Sequence, residues 1–87
     1  MVAISNPLGL HARAAARFVH TASAFASRIR VARGGRDMDG KSIMGLLLLA
    51  AAQGTTITIV AEGLDEADAI AALKTLVERG FEDLPCA

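Results

Sequence analysis

The sequence predicts an α+β fold: an open-faced β-sandwich in which a four-stranded antiparallel sheet carries three helices on one face, in the order βαββαβα. Three features predict it. Apolar and polar residues alternate from Arg28 to Arg33 and again over 55–61, the pattern of strands buried on one face only. Apolar residues recur at three- and four-residue spacing over 12–26 and 66–77, as in helices laid on a sheet. Between the first alternating run and a short partner stands Gly34-Gly35, the chemistry of a tight hairpin.

Eighty-seven residues suit a single domain over 1–87 with one modest core. Nine basic and nine acidic residues cancel, and the three phenylalanines are the only aromatic residues. Neither a polyanion-binding charge nor a base-stacking surface is present, so nucleic acid is not an expected partner. Cys86 is the only cysteine, which leaves no disulfide framework and no metal-ligand spacing. No metal or cofactor is expected, and the cytoplasm is the expected compartment. The longest apolar run, 43–52, is about half the length of a bilayer span, so no membrane insertion is expected.

Val2 and Ile4 flank Ala3 and form a brief first strand at the sheet edge. The first helix spans 12–26, with Ala15, Phe18, Val19, Ala22 and Phe25 or Ala26 inward and Arg13, Arg17, His20 and Ser23 outside that stripe. In the second strand Ile29 and Val31 face inward while the arginines face water; Arg36–Asp39 returns after the diglycine, with Met38 inward. Ser42 stands before an apolar run as an N-cap, and Gly54 ends the helix that follows. Ile57 and Ile59 mark the fourth strand. Asp65 caps a last helix carrying Ala69, Ile70, Leu73, Leu76 and Val77 inward, until Gly80 stops it. The tail, 84–87, is expected to fray.

The helix over 43–52 is apolar on every side, which a domain this small cannot bury completely. Leu46, Leu49 and Ala50 are assigned to the core, and Ile43, Met44 and Leu47 to a partner-binding patch. From the residues alone, an all-core reading stands equally.

The chemistry centres on Asn6-Pro7-Leu8-Gly9-Leu10-His11-Ala12-Arg13, where a loop rich in turn residues passes into the first helix. His11 falls at the helix N-terminus, where the first backbone N–H groups lack intrahelical acceptors and the macrodipole contributes about half a positive charge. That field disfavours further positive charge on the ring and welcomes an anion. With Arg13 as a charged donor and the Ala12 N–H beside it, such an imidazole is suited to accept and hold a phosphoryl group. Residue type alone leaves open a simple helix cap or a surface histidine.

The segment NPLGLHAR resembles the phosphorylation-site segment of the histidine-containing phosphocarrier family, HPr, of the phosphoenolpyruvate-dependent phosphotransferase system. Lys41-Ser42-Ile43-Met44-Gly45-Leu46-Leu47 is similar to the family's second signature at the usual separation, and Gly80-Phe81-Glu82 extends the similarity over nearly the whole chain. The resemblance implies the same open-faced sandwich, with phosphate carried on Nδ1 of His11 as pros-phosphohistidine. It implies enzyme I as donor and an enzyme IIA as acceptor, docked through Ala16, Arg17, His20, Ile43, Met44 and Leu47, and a monomeric carrier, not a turnover enzyme. His20 is read as a contact residue, since nothing places it at a helix end. Ser42 has two readings, a plain N-cap or the regulatory serine that an HPr kinase/phosphorylase modifies in many family members.

Two departures stand out. The family's first strand is usually longer, and Ala14 takes the place of a proline usual after the arginine. Relatives in the nitrogen-related branch also tend to lack that proline, which keeps a rival in view: a regulatory module whose phosphorylation state sets its affinity for partners. Finally, Gly35-Arg36-Asp37-Met38-Asp39-Gly40-Lys41-Ser42 matches the spacing of a nucleotide-binding P-loop. The expected antiparallel sheet, the short chain and the lack of a convincing acidic strand end argue against that site.

Overall fold

The structure, a computed structural model, describes residues 1–6 and 8–82, except the side chain of residue 82; Pro7 and the tail expectations at 84–87, Cys86 included, lie outside the described residues. The order is β1 Val2–Ala3, α1 Ala12–Ser23, β2 Arg28–Arg33, β3 Arg36–Asp39, α2 Ile43–Leu48, β4 Thr56–Glu62 and α3 Glu66–Glu78, with a short 3₁₀ turn at Gly80–Glu82. The strands form one sheet in the order β1-β4-β2-β3, every pairing antiparallel. This is the four-stranded open sheet with three helices that the alternation and helical spacing predict.

Periodicity explains which side chains meet. Val2, Ile29, Val31 and Ile57 point from the sheet to one side and pack against Ala14, Ala15, Phe18 and Ala22 of α1, Leu46 of α2, and Ala69, Leu73 and Val77 of α3. Alanines on α1 let that helix approach closely while Phe18 supplies the volume. The hairpin between β2 and β3 turns on Gly34 and Gly35, with φ of 53° and 84°, the doubly left-handed backbone such a turn needs.

Several boundaries differ from the expectation. α1 stops at Ser23, where Ala24 caps it, and Ala26 is exposed. Ala14 joins the buried stripe. α2 ends at Leu48 instead of running to Gly54, because Ala50 turns left-handed at φ 51°. The Arg36 guanidinium donates to the Leu48 carbonyl at 2.8 Å and that of Arg33 to the Leu49 carbonyl at 3.0 Å, placing positive charge where α2 ends. Ala50 is consequently exposed, and Ala51 takes the core position instead.

Asp65 occupies the N-cap position of α3 but makes no side-chain bond to that helix. Its carboxylate reaches the connection between α1 and β2, accepting from the backbone N–H of Ala26 at 2.8 Å, from that of Ser27 at 2.9 Å, and from the Ser27 hydroxyl. These donors, the Ser27 hydroxyl foremost and the Ala26 N–H next, hold the Asp65 carboxyl below its ordinary value. Past α3, Phe81 adopts φ 57° and returns its ring to the core.

Candidate functional site: a helix-capping histidine

His11 is the N-cap of α1. Its extended backbone (φ −83°, ψ 179°) and its carbonyl, which accepts the Ala15 N–H at 2.8 Å, start the helix. Its side chain completes the cap: the Arg13 backbone N–H donates to Nδ1 at 3.2 Å. A nitrogen that accepts a hydrogen bond carries a lone pair, so in the neutral ring the proton resides on Nε2. The first N–H groups of the helix are expected to be open to an anion; here the imidazole itself holds that of Arg13. The ring is half-buried.

The loop that aims the ring is fixed at both ends. Asn6 is buried, and its side-chain amide donates to the Gly9 carbonyl at 2.7 Å while the Gly9 N–H donates to the Asn6 carbonyl at 3.0 Å. Gly9 has φ +64° and lies against the segment after α2, so close that a Cβ there would stand 2.6 Å from the Ala51 oxygen and 2.9 Å from Ala52 Cα. The Leu10 N–H then donates to the Ala51 carbonyl at 2.8 Å. Ala51 is absent from the site read in the sequence, because it lies about forty residues from Leu10 and no local pattern signals the pairing.

The remaining candidates divide between two surfaces. Arg13, Ala16, Arg17 and His20 come together on α1, lining an open depression with Thr21 and with Leu76 of α3. On α2, which packs beside α1, Ile43, Met44 and Leu48 are 43%, 68% and 54% exposed. Leu47 is half-buried against the core, and Leu48, which the sequence reading passed over, shares the exposed face with Ile43 and Met44. Ser42 is the N-cap of α2: its hydroxyl accepts the Gly45 N–H at 3.1 Å. Lys41 of the P-loop-like run is engaged elsewhere, its ammonium donating to the Phe25 carbonyl at 2.8 Å and its N–H to Asp39 at 2.9 Å. An antiparallel sheet precedes it, so the local match to a P-loop lacks its structural setting. Among the described residues no cluster of His, Cys, Asp and Glu could hold a metal ion, and no helix is long and apolar enough to cross a membrane.

Fold and site together define an open-faced α/β sandwich that presents one imidazole, lone pair first, at the start of a helix. The family model described as the PTS HPr component phosphorylation site matches residues 1–79. The chain belongs to the HPr phosphocarrier family of the phosphotransferase system. It is 49% identical over 80 residues to the phosphocarrier protein HPr of Neisseria meningitidis serogroup A, covering 92% of this chain and 90% of the relative. The crystal structure of HPr-C-His from Thermoanaerobacter tengcongensis superposes with a TM-score of 0.91 at 45% identity, over 97% of this chain and 94% of that one. Crh of Bacillus subtilis, a structure described as a dimer with a swapping domain, gives a TM-score of 0.78 at 39% identity over 92% of each chain. Membership of the family implies phosphotransferase-system partners such as enzyme I and enzyme IIA.

Proposed function

We propose that His11 accepts a phosphoryl group from phospho-enzyme I and passes it to a histidine of an enzyme IIA in a phosphoenolpyruvate-dependent sugar phosphotransferase system. The observation that carries this reading is the Arg13 N–H bond to Nδ1, which leaves the nitrogen unprotonated and pointed at the helix end. In the transfer, the Nδ1 lone pair attacks phosphorus as the donor's P–N bond breaks, and Nε2 keeps its proton. The ring turns from the Arg13 N–H as it does so, and that N–H, the Ala12 N–H and the Arg13 side chain take up the phosphoryl oxygens. A donor that was satisfied by the ring is then satisfied by the phosphate. The exchange keeps the phosphorylated form from being greatly favoured, as a reversible carrier requires.

Docking runs through Ala16, Arg17 and His20 of α1 and Ile43, Met44 and Leu47 of α2, the last assisted by Leu48. An apolar centre with arginines at its rim suits brief contact with acidic partners. Ser42 is the regulatory position: a phosphate on its hydroxyl would replace the bond to Gly45 and place two negative charges beside Ile43 and Met44, obstructing docking without unfolding α2. We take residues 1–87 as one such domain, acting as a monomer in the cytoplasm.

The test is phosphotransfer. Incubation with phosphoenolpyruvate, magnesium and enzyme I gives an acid-labile, alkali-stable phosphoprotein; His11→Ala gives none. Addition of an enzyme IIA then drains the label. A label that stays put would end the carrier reading.

A further inference from the structure

Local preference would carry α2 past Leu48, since Ala50, Ala51, Ala52 and Gln53 all favour helix and the next residue that breaks one is Gly54. In a helix so continued, the Leu48 and Leu49 carbonyls would accept the N–H groups of Ala52 and Gln53. The guanidinium groups of Arg36 and Arg33 donate to those two carbonyls instead, at 2.8 and 3.0 Å. This ending is opposed on two further counts. Arg33 and Arg36 stand directly opposite each other across the hairpin, where like charges repel, and Ala50 takes a left-handed backbone at φ 51°, which its Cβ disfavours.

The segment kept out of the helix holds the loop that leads to His11. The Ala51 carbonyl accepts the Leu10 N–H at 2.8 Å, the Gln53 side-chain amide donates to the Ser5 carbonyl at 3.1 Å, and Gly9 lies against Ala51 and Ala52. A helix carried on to Gly54 would draw the Ala51 carbonyl into line with its own axis, away from Leu10. We propose that Arg33 and Arg36 are positioning residues for His11. By occupying the last carbonyls of α2 they keep 50–53 outside the helix, and that segment in turn fixes the loop that aims the imidazole. The consequence for transfer rests on the carrier reading above: losing the two donors should slow the phosphoryl step at His11 while Ile43 and Met44, at the other end of α2, still dock.

The experiment compares the parent with two double variants: Arg33→Met with Arg36→Met, which keeps long side chains but removes the donors, and Arg33→Lys with Arg36→Lys, which keeps a donor at each place. In the methionine pair, amide hydrogen exchange should quicken about tenfold at Leu10 and stay as slow as in the parent at Arg30 and Val60, partners in the middle of the sheet. Single-turnover labelling by excess phospho-enzyme I should lose about tenfold in maximal rate, with half-saturation moved by less than about twofold. The lysine pair should recover most of both losses. Unchanged exchange at Leu10, a maximal rate equal to the parent's, a loss expressed only in half-saturation, or exchange quickened equally in the sheet would each overturn the proposal. If the methionine pair does not fold, Arg36→Met alone, at an exposed site, carries the same comparison, with smaller losses of the same kind expected. A parent that takes no phosphate would refute the carrier reading and leave the positioning to be judged by exchange at Leu10 and its recovery with lysine.

Discussion

Nδ1 of His11 and the backbone N–H of Arg13 are joined by a 3.2 Å hydrogen bond that makes the imidazole the cap of the helix it precedes. The bond assigns the neutral ring to its Nε2–H form. In nitrogen-15 spectra of the neutral protein, Nε2 should carry the proton and Nδ1 should show the shift of an acceptor. On phosphorylation the Arg13 amide should be among those that move furthest. A neutral ring protonated on Nδ1 would remove the lone pair from the position described.

Gly9 answers to two demands at once, a left-handed backbone and contact with the Ala51 carbonyl. Gly9→Ala should destabilise the fold by about 2–3 kcal/mol in urea unfolding, from the left-handed penalty together with the displaced segment. Phosphotransfer should fall further than stability, because the loop that moves is the one that aims His11.

Ser42→Ala removes the cap of a helix only six residues long and should cost about 1 kcal/mol by thermal or chemical denaturation. Ser42→Asp restores an acceptor at the cap, so it should melt close to the parent while accepting phosphate from enzyme I more slowly.

The carboxyl of Asp65 lies below its ordinary value when folded, so its contribution to stability is present above the unfolded value of about 3.9. That contribution is lost as pH falls through the lower, folded value. Asp65→Asn should therefore be less stable than the parent at neutral pH, and the gap should close in melts carried below about pH 4. A gap that stays constant down to acid would mean that the Ser27 and Ala26 bonds do not depend on the charge.

On α2, Met44→Glu and Leu48→Glu should change stability by less than about 0.5 kcal/mol while raising the KM for this carrier in the enzyme I reaction. Leu47→Glu buries part of a charge against the core and should cost about 1–3 kcal/mol as well. Equal melting of all three would place Leu47 on the surface with the others.

Much of this was legible in the sequence where the signal is local. Alternation located β2 and β4, the diglycine set the hairpin, and Ser42 stood where an apolar run begins, so it capped as expected. The end of α2 was illegible because nothing in 49–52 breaks a helix; the stop is imposed by Arg33 and Arg36 from the hairpin and by the left-handed turn at Ala50. The Asp65 position was readable, but its partners were not, since Ala26 and Ser27 lie 39 and 38 residues away. Phe81 escaped for a related reason: after a glycine that stops a helix, only the whole fold shows that the chain turns back inward.

The Leu10–Ala51 bond ties the loop before His11 to a stretch of backbone that arrives late in the chain. The imidazole therefore acquires its aim only once distant segments have closed, and a partly unfolded copy presents no oriented nitrogen. If His11 carries phosphate as proposed, damaged molecules would drop out of the relay instead of leaking phosphate to the wrong recipient.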